Sequence, residues 1–235
     1  MISAASGLKA RMESLEMLAN NVANSGTAGF KSDREFYNLY TSEQATDSTL
    51  PLIEKHWTDH GQGTLVQTGN SLDLAISGKG FFVVDGPGGA AYTRNGNFRM
   101  SSSGQLLTSD GQLVRILKPD GKPLQLDPMA AVDIDQQGNV SQHGSVQGRL
   151  ALVQFNDESQ LQKLGSTYFK FDGGTPAPAT AAEVHQGSLE QANVPVGEAA
   201  VRLVSVMRQF EMLQRAMTLG ADMNRRAVEE VAKVS

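Results

Sequence analysis

The stretch Met1-Ile2-Ser3-Ala4-Ala5-Ser6-Gly7-Leu8-Lys9-Ala10-Arg11-Met12-Glu13-Ser14-Leu15-Glu16-Met17-Leu18-Ala19-Asn20-Asn21-Val22 carries apolar side chains at Met1, Ala5, Leu8, Met12, Leu15, Ala19 and Val22, in alternate steps of four and three. That spacing lays a narrow stripe along one side of a helix and leaves Lys9, Arg11, Glu13 and Glu16 on the remaining surface. The helix is expected to stop near Asn24-Ser25-Gly26, because Asn and Gly tolerate the left-handed conformation of a helix C-terminus. The other end of the chain repeats the pattern at Ala200, Leu203, Met207, Phe210, Gln214, Met217, Ala221, Asn224, Val228 and Val231, with Gln214 and Asn224 as its polar interruptions. One long helix is predicted over 197–233, about 55 Å at ~1.5 Å per residue.

Between these ends the apolar period changes to two. Leu72–Ile76, Phe81–Asp85, Ala91–Arg94, Phe98–Met100, Leu113–Leu117, Val132–Ile134 and Leu150–Phe155 read as short strands. Turns such as Asn95-Gly96, Asp110-Gly111, Asp120-Gly121 and Gly138-Asn139 separate them, and Asn and Gly supply the positive φ that tight hairpins need. The fold class that follows is α+β: an antiparallel all-β central body, a barrel or an irregular sandwich, looped out between N- and C-terminal coiled-coil-forming helices. The expected organisation is an N-terminal helix and turn over 1–34, a β-rich body over 35–190 and a long C-terminal helix over 191–235. Two stretches poor in core formers, near 41–51 and 172–182, are expected to be exposed connectors.

A narrow apolar stripe is better covered by another helix than by a sheet, which asks for a wider face. Pairing the two ends as antiparallel helices answers this, but a lone pair of this kind is marginal in water. Copies associating through the stripes would bury the rest, with folding and assembly coupled. The plainer reading has both helices simply capping the β body within one chain.

Composition narrows the function classes. With 40% hydrophobic and 19% charged residues, the 235-residue chain is too apolar for wholesale disorder and too polar for a membrane protein. No run approaches the ~20 apolar residues of a bilayer span, so no membrane insertion is expected. The start has no basic cluster followed by an apolar block, so a cleavable secretory signal is not expected either. Residues 1–34 hold four basic and three acidic groups and 198–235 six and five, which leaves ten and seventeen for the middle. The ends are therefore +1 each and the centre −7, a balance unsuited to gripping nucleic acid. The absence of cysteine excludes disulfides and thiolate chemistry.

No catalytic constellation assembles. Gly86-Pro87-Gly88-Gly89-Ala90-Ala91 imitates a dinucleotide fingerprint, but a strand and turn follow where a phosphate-holding helix is required. His56 and His60 are four apart, yet Pro51 and Gly61 bracket too short a segment for a metal-holding helix, and a structural or surface role is expected. His143 and His185 have no Ser or Asp partnership, and Asp133 and Asp135 alternate on a strand. The expectation is a non-enzymatic protein without cofactor or metal.

The segment Ala19-Asn20-Asn21-Val22-Ala23-Asn24-Ser25-Gly26-Thr27-Ala28-Gly29-Phe30-Lys31 resembles the N-terminal signature of the bacterial flagellar basal-body rod and hook proteins. Gly63 through Val84, Tyr92-Thr93-Arg94-Asn95-Gly96-Asn97-Phe98, and Gln186-Gly187-Ser188-Leu189-Glu190-Gln191-Ala192-Asn193-Val194 are similar to the body and the helix approach of the same family, in the family's order. Arg208-Gln209-Phe210-Glu211-Met212 looks more like the proximal-rod type than the distal-rod type, while Val194-Pro195-Val196 departs from the family's usual Val-Asn-Val.

The resemblance implies an axial structural subunit, exported by the flagellar type III apparatus without signal cleavage and polymerised across the periplasm. Its expected partners are copies of itself and other rod or hook proteins. The subunit-interface candidates are Leu8, Met12, Leu15, Asn20, Asn21, Val22, Asn24, Gly29 and Phe30 at one end, and Leu203, Met207, Phe210, Gln214, Met217 and Asn224 at the other. For Asn24 a helix cap, and for Phe30 a local core plug, are the competing roles. Gln214 and Asn224 would set register, or face lumen or solvent. A rival from another class is a monomeric secreted β-domain protein that binds or degrades glycans and carries helical caps.

Overall fold

The computed structural model describes residues 2–39, 51–86, 88–118 and 124–234. The chain forms two compact units, each assembled from separate stretches of sequence. The first comprises Met1–Ala23, Asp33–Thr58 and Pro195–Ser235, and the second Asn24–Ser32 and Asp59–Val194.

In the first unit, helix α1 (Ile2–Ala23) packs along helix α2 (Val196–Val234), as the paired stripes require. The 39 residues of α2 extend for roughly 58 Å. Its first hydrogen bond runs from the Ala199 N–H to the Pro195 carbonyl, 2.9 Å. At the end of α1 the chain turns where Asn24 predicts: the Thr27 N–H donates to the Asn24 carbonyl at 3.0 Å, and the Thr27 hydroxyl reaches Asn24 Oδ1 at 3.4 Å. An antiparallel hairpin of Asp33–Leu39 and Pro51–Thr58 completes the unit and also touches α1. Its register shifts between Phe36 and Tyr37, a bulge that bends the ribbon. The connector expected near 41–51 falls on 40–50, outside the described residues.

The second unit is built of antiparallel sheets, the largest nine-stranded. Its central strand Phe81–Gly86 explains the run Phe81-Phe82-Val83-Val84. Alternate side chains of a strand point to opposite faces, and both faces here are covered. Phe82 and Val84 enter one core with Leu74, Ile76, Val114 and Val184, while Phe81 and Val83 enter another with Tyr92, Phe155 and Phe169. Edge-to-face rings fill the second core, with centroids 5.5 Å apart for Phe81–Phe155 and 4.9 Å for Tyr92–Phe155. A four-stranded sheet with Asn139–Gln142 and Ser145–Leu150 at its centre stands beside the larger one.

Two expectations change. Leu113–Leu117 is two short strands, Leu113–Val114 and Ile116–Leu117, which join different sheets. Part of the stretch 172–182 is built into the body rather than exposed. Ala177–Pro178 pairs with Val153 and Gln154, and Ala179 and Ala182 are buried where a side chain on Gly80 would meet both their Cβ atoms at 3.2 Å. Small residues that look like a linker are those that fit where backbones approach closely.

Asn95-Gly96, expected as a hairpin turn, instead joins strands that do not pair with each other, and it shows that constraint most sharply. The Leu74 N–H donates to the Gly96 carbonyl at 3.0 Å, and the buried Asp73 carboxylate beside it accepts from Thr68 Oγ1, Asn70 Nδ2 and Asn97 Nδ2 at 2.7, 3.1 and 2.9 Å. A Cβ on Gly96 would lie 1.7 Å from the Leu74 carbonyl oxygen, so backbone has to move. Gly96→Ala is expected to destabilise the second unit by about 2–4 kcal/mol, read as a lowered urea midpoint in its near-ultraviolet signal.

Candidate functional site

Two features carry the chain's working chemistry, a buried ionic cluster in the second unit and the helix pair of the first. In the cluster, Lys31 and Glu190 are both fully buried and meet at 2.6 Å between Nζ and Oε1. Arg94 approaches the other carboxylate oxygen, Nη1 to Oε2 at 3.3 Å. The cations are further satisfied by backbone carbonyls: Lys31 donates to Gly61 at 2.7 Å and Arg94 Nη2 to Gly78 at 2.8 Å. Arg94 also lies over the Phe81 ring, 5.1 Å from its centroid. Glu190 accepts the Gly63 N–H at 2.8 Å on the oxygen that holds Lys31. Burial pushes the Lys31 ammonium below its ordinary value; Glu190 opposes the shift and Arg94 adds to it.

Local sequence explains how the cluster closes. Gly29 has φ +68°, and a Cβ there would fall 2.2 Å from the Asn95 nitrogen, so only glycine lets this turn lie against the Arg94–Asn95 backbone. Its N–H donates to the Glu190 carbonyl at 2.7 Å, and the buried Phe30 ring carries the Lys163 ammonium at 4.5 Å. Asn193 ties the segments together: its Oδ1 accepts from the Ser32 N–H at 2.7 Å, and its Nδ2 donates to the carbonyls of Asp59 and Gly61 at 2.7 and 3.0 Å.

His60 stands beside this cluster, edge-on to Phe169 and Phe81 with centroids 5.0 and 5.9 Å away. Burial first, and then the charges of Lys31, Arg94 and Lys163, push its pKa down to about 4, against a small opposing effect of Asp59. It is a neutral packing group, the structural member of the two roles its sequence context allowed.

In the helix pair, the buried positions of α1 are Ser14, Leu18 and Asn21, with Leu8, Leu15 and Val22 half-buried at the margin. Met12 and Asn20 are exposed. On α2, Ala199 and Val206 are buried and Leu203, Phe210 and Leu213 half-buried, again in steps of four and three. Leu203 and Phe210 thus belong to the packed face, whereas Met207, Gln214 and Met217 are exposed. The side chain of Asn224 lies outside the described residues. The packed face is rotated by about one residue from the stripe counted in sequence. Leu18 and Val206, both apolar, lie just off the heptad positions.

Asn21 takes an internal role in place of the expected subunit contact. Its amide pairs with the Asp33 backbone, Nδ2 to the carbonyl at 2.8 Å and Oδ1 from the N–H at 3.0 Å, holding the hairpin to the end of α1. Asn24 makes the turn described above, and Gly29 and Phe30 close the second unit. Arg202 reaches Glu35 at 3.5 Å. Ser14 Oγ and Gln209 Oε1 are buried without a hydrogen-bond partner among the described residues, which weakens the pair.

A second apolar stripe runs along α2 on the side away from α1. Val201, Met212, Leu219 and Met223 are 73%, 61%, 63% and 64% exposed. Their spacings of 11, 7 and 4 residues keep them within about 40° of one another, at ~100° per residue. Together with Ala200, Val204, Ser205, Arg208 and Gln209, the first two line a shallow groove of about 590 Å³. No helix among the described residues is long and apolar enough to cross a membrane, so this face is not a lipid span.

Three segments of the chain match known families. Residues 1–31 match the family described as flagella basal body rod protein, 75–146 the flagellar hook protein FlgE/F/G D1 domain, and 185–230 the flagellar basal body rod FlgEFG protein C-terminal region. Lys31, Arg94 and Glu190 fall one in each match. The chain is 34% identical to the flagellar basal-body rod protein FlgF of Caulobacter vibrioides over 94% of its own length and 93% of the relative's. It is 30% identical to FlgF of Mesorhizobium japonicum, over 94% and 92% of the two chains, and 28% identical to FlgG of Bacillus subtilis, over 93% of each. The chain belongs to the flagellar basal-body rod protein family.

Glu190→Gln leaves two buried cations without their carboxylate and is expected to cost about 3–5 kcal/mol in urea unfolding. The His60 shift has a definite sign. The unfolded chain takes up the proton first, so stability is full above pH 6.5, falls as pH drops from 6.5 to about 4, and levels off below. His60→Phe is expected to flatten the urea midpoint across that window; an unchanged slope would remove His60 as its source.

Proposed function

We propose that this chain is a structural, non-enzymatic subunit of the bacterial flagellar basal-body rod. It polymerises through its terminal helices into the axial shaft that carries torque from motor to hook. Family membership over nearly the full chain supports the rod assignment and sets aside the secreted glycan-binding module. The observation that carries the mechanism is the exposed apolar stripe of α2 on the side away from α1, a large apolar surface that a solitary soluble chain would leave in water. A heterologous contact that does not close on itself yields a helical filament, the geometry of a shaft.

In this reading the two terminal helices form the inner tube and the β-rich body the outer layer, with the interface on the exposed Met12, Asn20, Met207, Gln214 and Met217 and the outer stripe of α2, while Leu8, Leu15, Val22, Leu203 and Phe210 pack the two helices of one chain together. The partners are copies of the chain and other rod or hook proteins. Passage through the type III export apparatus, as an unfolded chain without signal cleavage, brings it to the periplasm. The proximal-rod type is preferred over the distal-rod type on Arg208-Gln209-Phe210-Glu211.

Leu203→Asp tests whether assembly depends on the paired helices. A carboxylate on the face packed against α1 should abolish polymer formation and motility while the melting transition of the β-rich unit stays in place. Normal motility in that variant would mean that assembly does not need the packed helix pair.

A further inference from the structure

Both helices of the first unit keep an outer stripe after pairing. On α1 this stripe contains Met12, Glu16, Ala19 and Ala23, all exposed and nearly opposite the buried Ser14, Leu18 and Asn21. On α2 it is Val201, Val204 and Met212, with Arg208 in the same groove and Arg215 further along, both exposed. The two stripes face away from each other, so they cannot meet within one chain.

Their chemistry is complementary. The α2 stripe offers large side chains, and the α1 stripe small ones at Ala19 and Ala23 that allow close approach. Glu16 lies between Met12 and Ala19, and Arg208 between Val204 and Met212, so each helix reads apolar, charged, apolar over about two turns. Neither Glu16 nor Arg208 has an ion-pair partner among the described residues, whereas the neighbouring Lys9 already meets Glu13 at 3.8 Å and Arg202 meets Glu35. The opposite pairing, like on like, would set Arg208 and Arg215 of two copies against each other.

We propose that the groove on α2 receives the outer stripe of α1 from a second copy of this chain, with Glu16 of one copy opposite Arg208 of the next. Each copy then presents one donor and one acceptor helix face, so the contact propagates without closing. The proposal rests on the rod reading and names the surface and partner within it.

The cysteine-free chain makes the test direct. Chains carrying Glu16→Cys and chains carrying Arg208→Cys, co-expressed in motile cells and oxidised in isolated basal bodies, should give a disulfide-linked dimer only when both are present. Glu16→Arg and Arg208→Glu should each abolish motility, and the two combined in one chain should restore it. Thermal melts of these exposed-site variants control for folding. Dimers from either cysteine chain alone would overturn the proposal, because like faces would then be meeting. Loss of motility without rescue and without a mixed dimer would overturn it in favour of a different protein on the groove. If the swaps are harmless while Leu203→Asp still abolishes motility, the proposed contact falls and the rod reading stands. If Leu203→Asp is harmless too, both fall.

Discussion

The second unit depends on one carboxylate holding two cations away from water. Glu190 is fully buried and shared by Lys31 and Arg94, so the local charge is positive and tolerable only because backbone carbonyls and the Phe81 ring complete the solvation. Buried ions are weak contributors to net stability but severe penalties when a partner is missing, which makes such a cluster a strong specifier of arrangement. The contact between Lys31 and Glu190 joins residues 159 positions apart. It fixes the turn at Gly29, the loop at Gly61–Gly63 and the strand that precedes α2, and Asn193 repeats the same tie through neutral amide hydrogen bonds.

The helix pair follows the reverse logic. Its packed face is short and mixed, with Ala199 and Val206 buried on α2 and with Ser14 and Gln209 each burying a polar atom that finds no partner among the described residues. On the far side, α2 presents valines, methionines and a leucine to solvent. Methionine is unbranched and adaptable, suited to a surface that has to fit a neighbouring helix without a unique rigid match. A pair that is imperfectly satisfied inside and apolar outside is the physical form of an unfinished interface. The rod family supplies the setting in which neighbours complete it.

Much of this was legible in the chain itself. The change of apolar period from three-and-four to two separated helices from strands, and Asp85-Gly86 and Asp110-Gly111 placed turns, whereas Asn95-Gly96 joins strands that do not pair with each other and Asp120-Gly121 lies outside the described residues. The signatures around Gly29, Arg94 and Glu190 identified the family. Less legible was the hairpin Asp33–Thr58, because its strands lie either side of a low-complexity stretch and their pairing is non-local. The burial of Ala179 and Ala182 was hidden as well, since small residues read as linker by composition and as close packing only once a facing Gly80 is present.

The sequence by itself determined that two striped helices bracket an antiparallel β body, because local periodicity and turn chemistry are properties of neighbouring residues, and its resemblance to known motifs, a separate signal, pointed to the rod family. Only the tertiary structure decided which side of each helix is packed and which is left outward. A helix with apolar residues on more than one side is satisfied by several rotations, and the facing surface selects one of them. Only the tertiary structure, too, brought Lys31, Arg94 and Glu190 to one point: charge pairing over such separations depends on where the backbone returns, and no spacing rule along the chain encodes it.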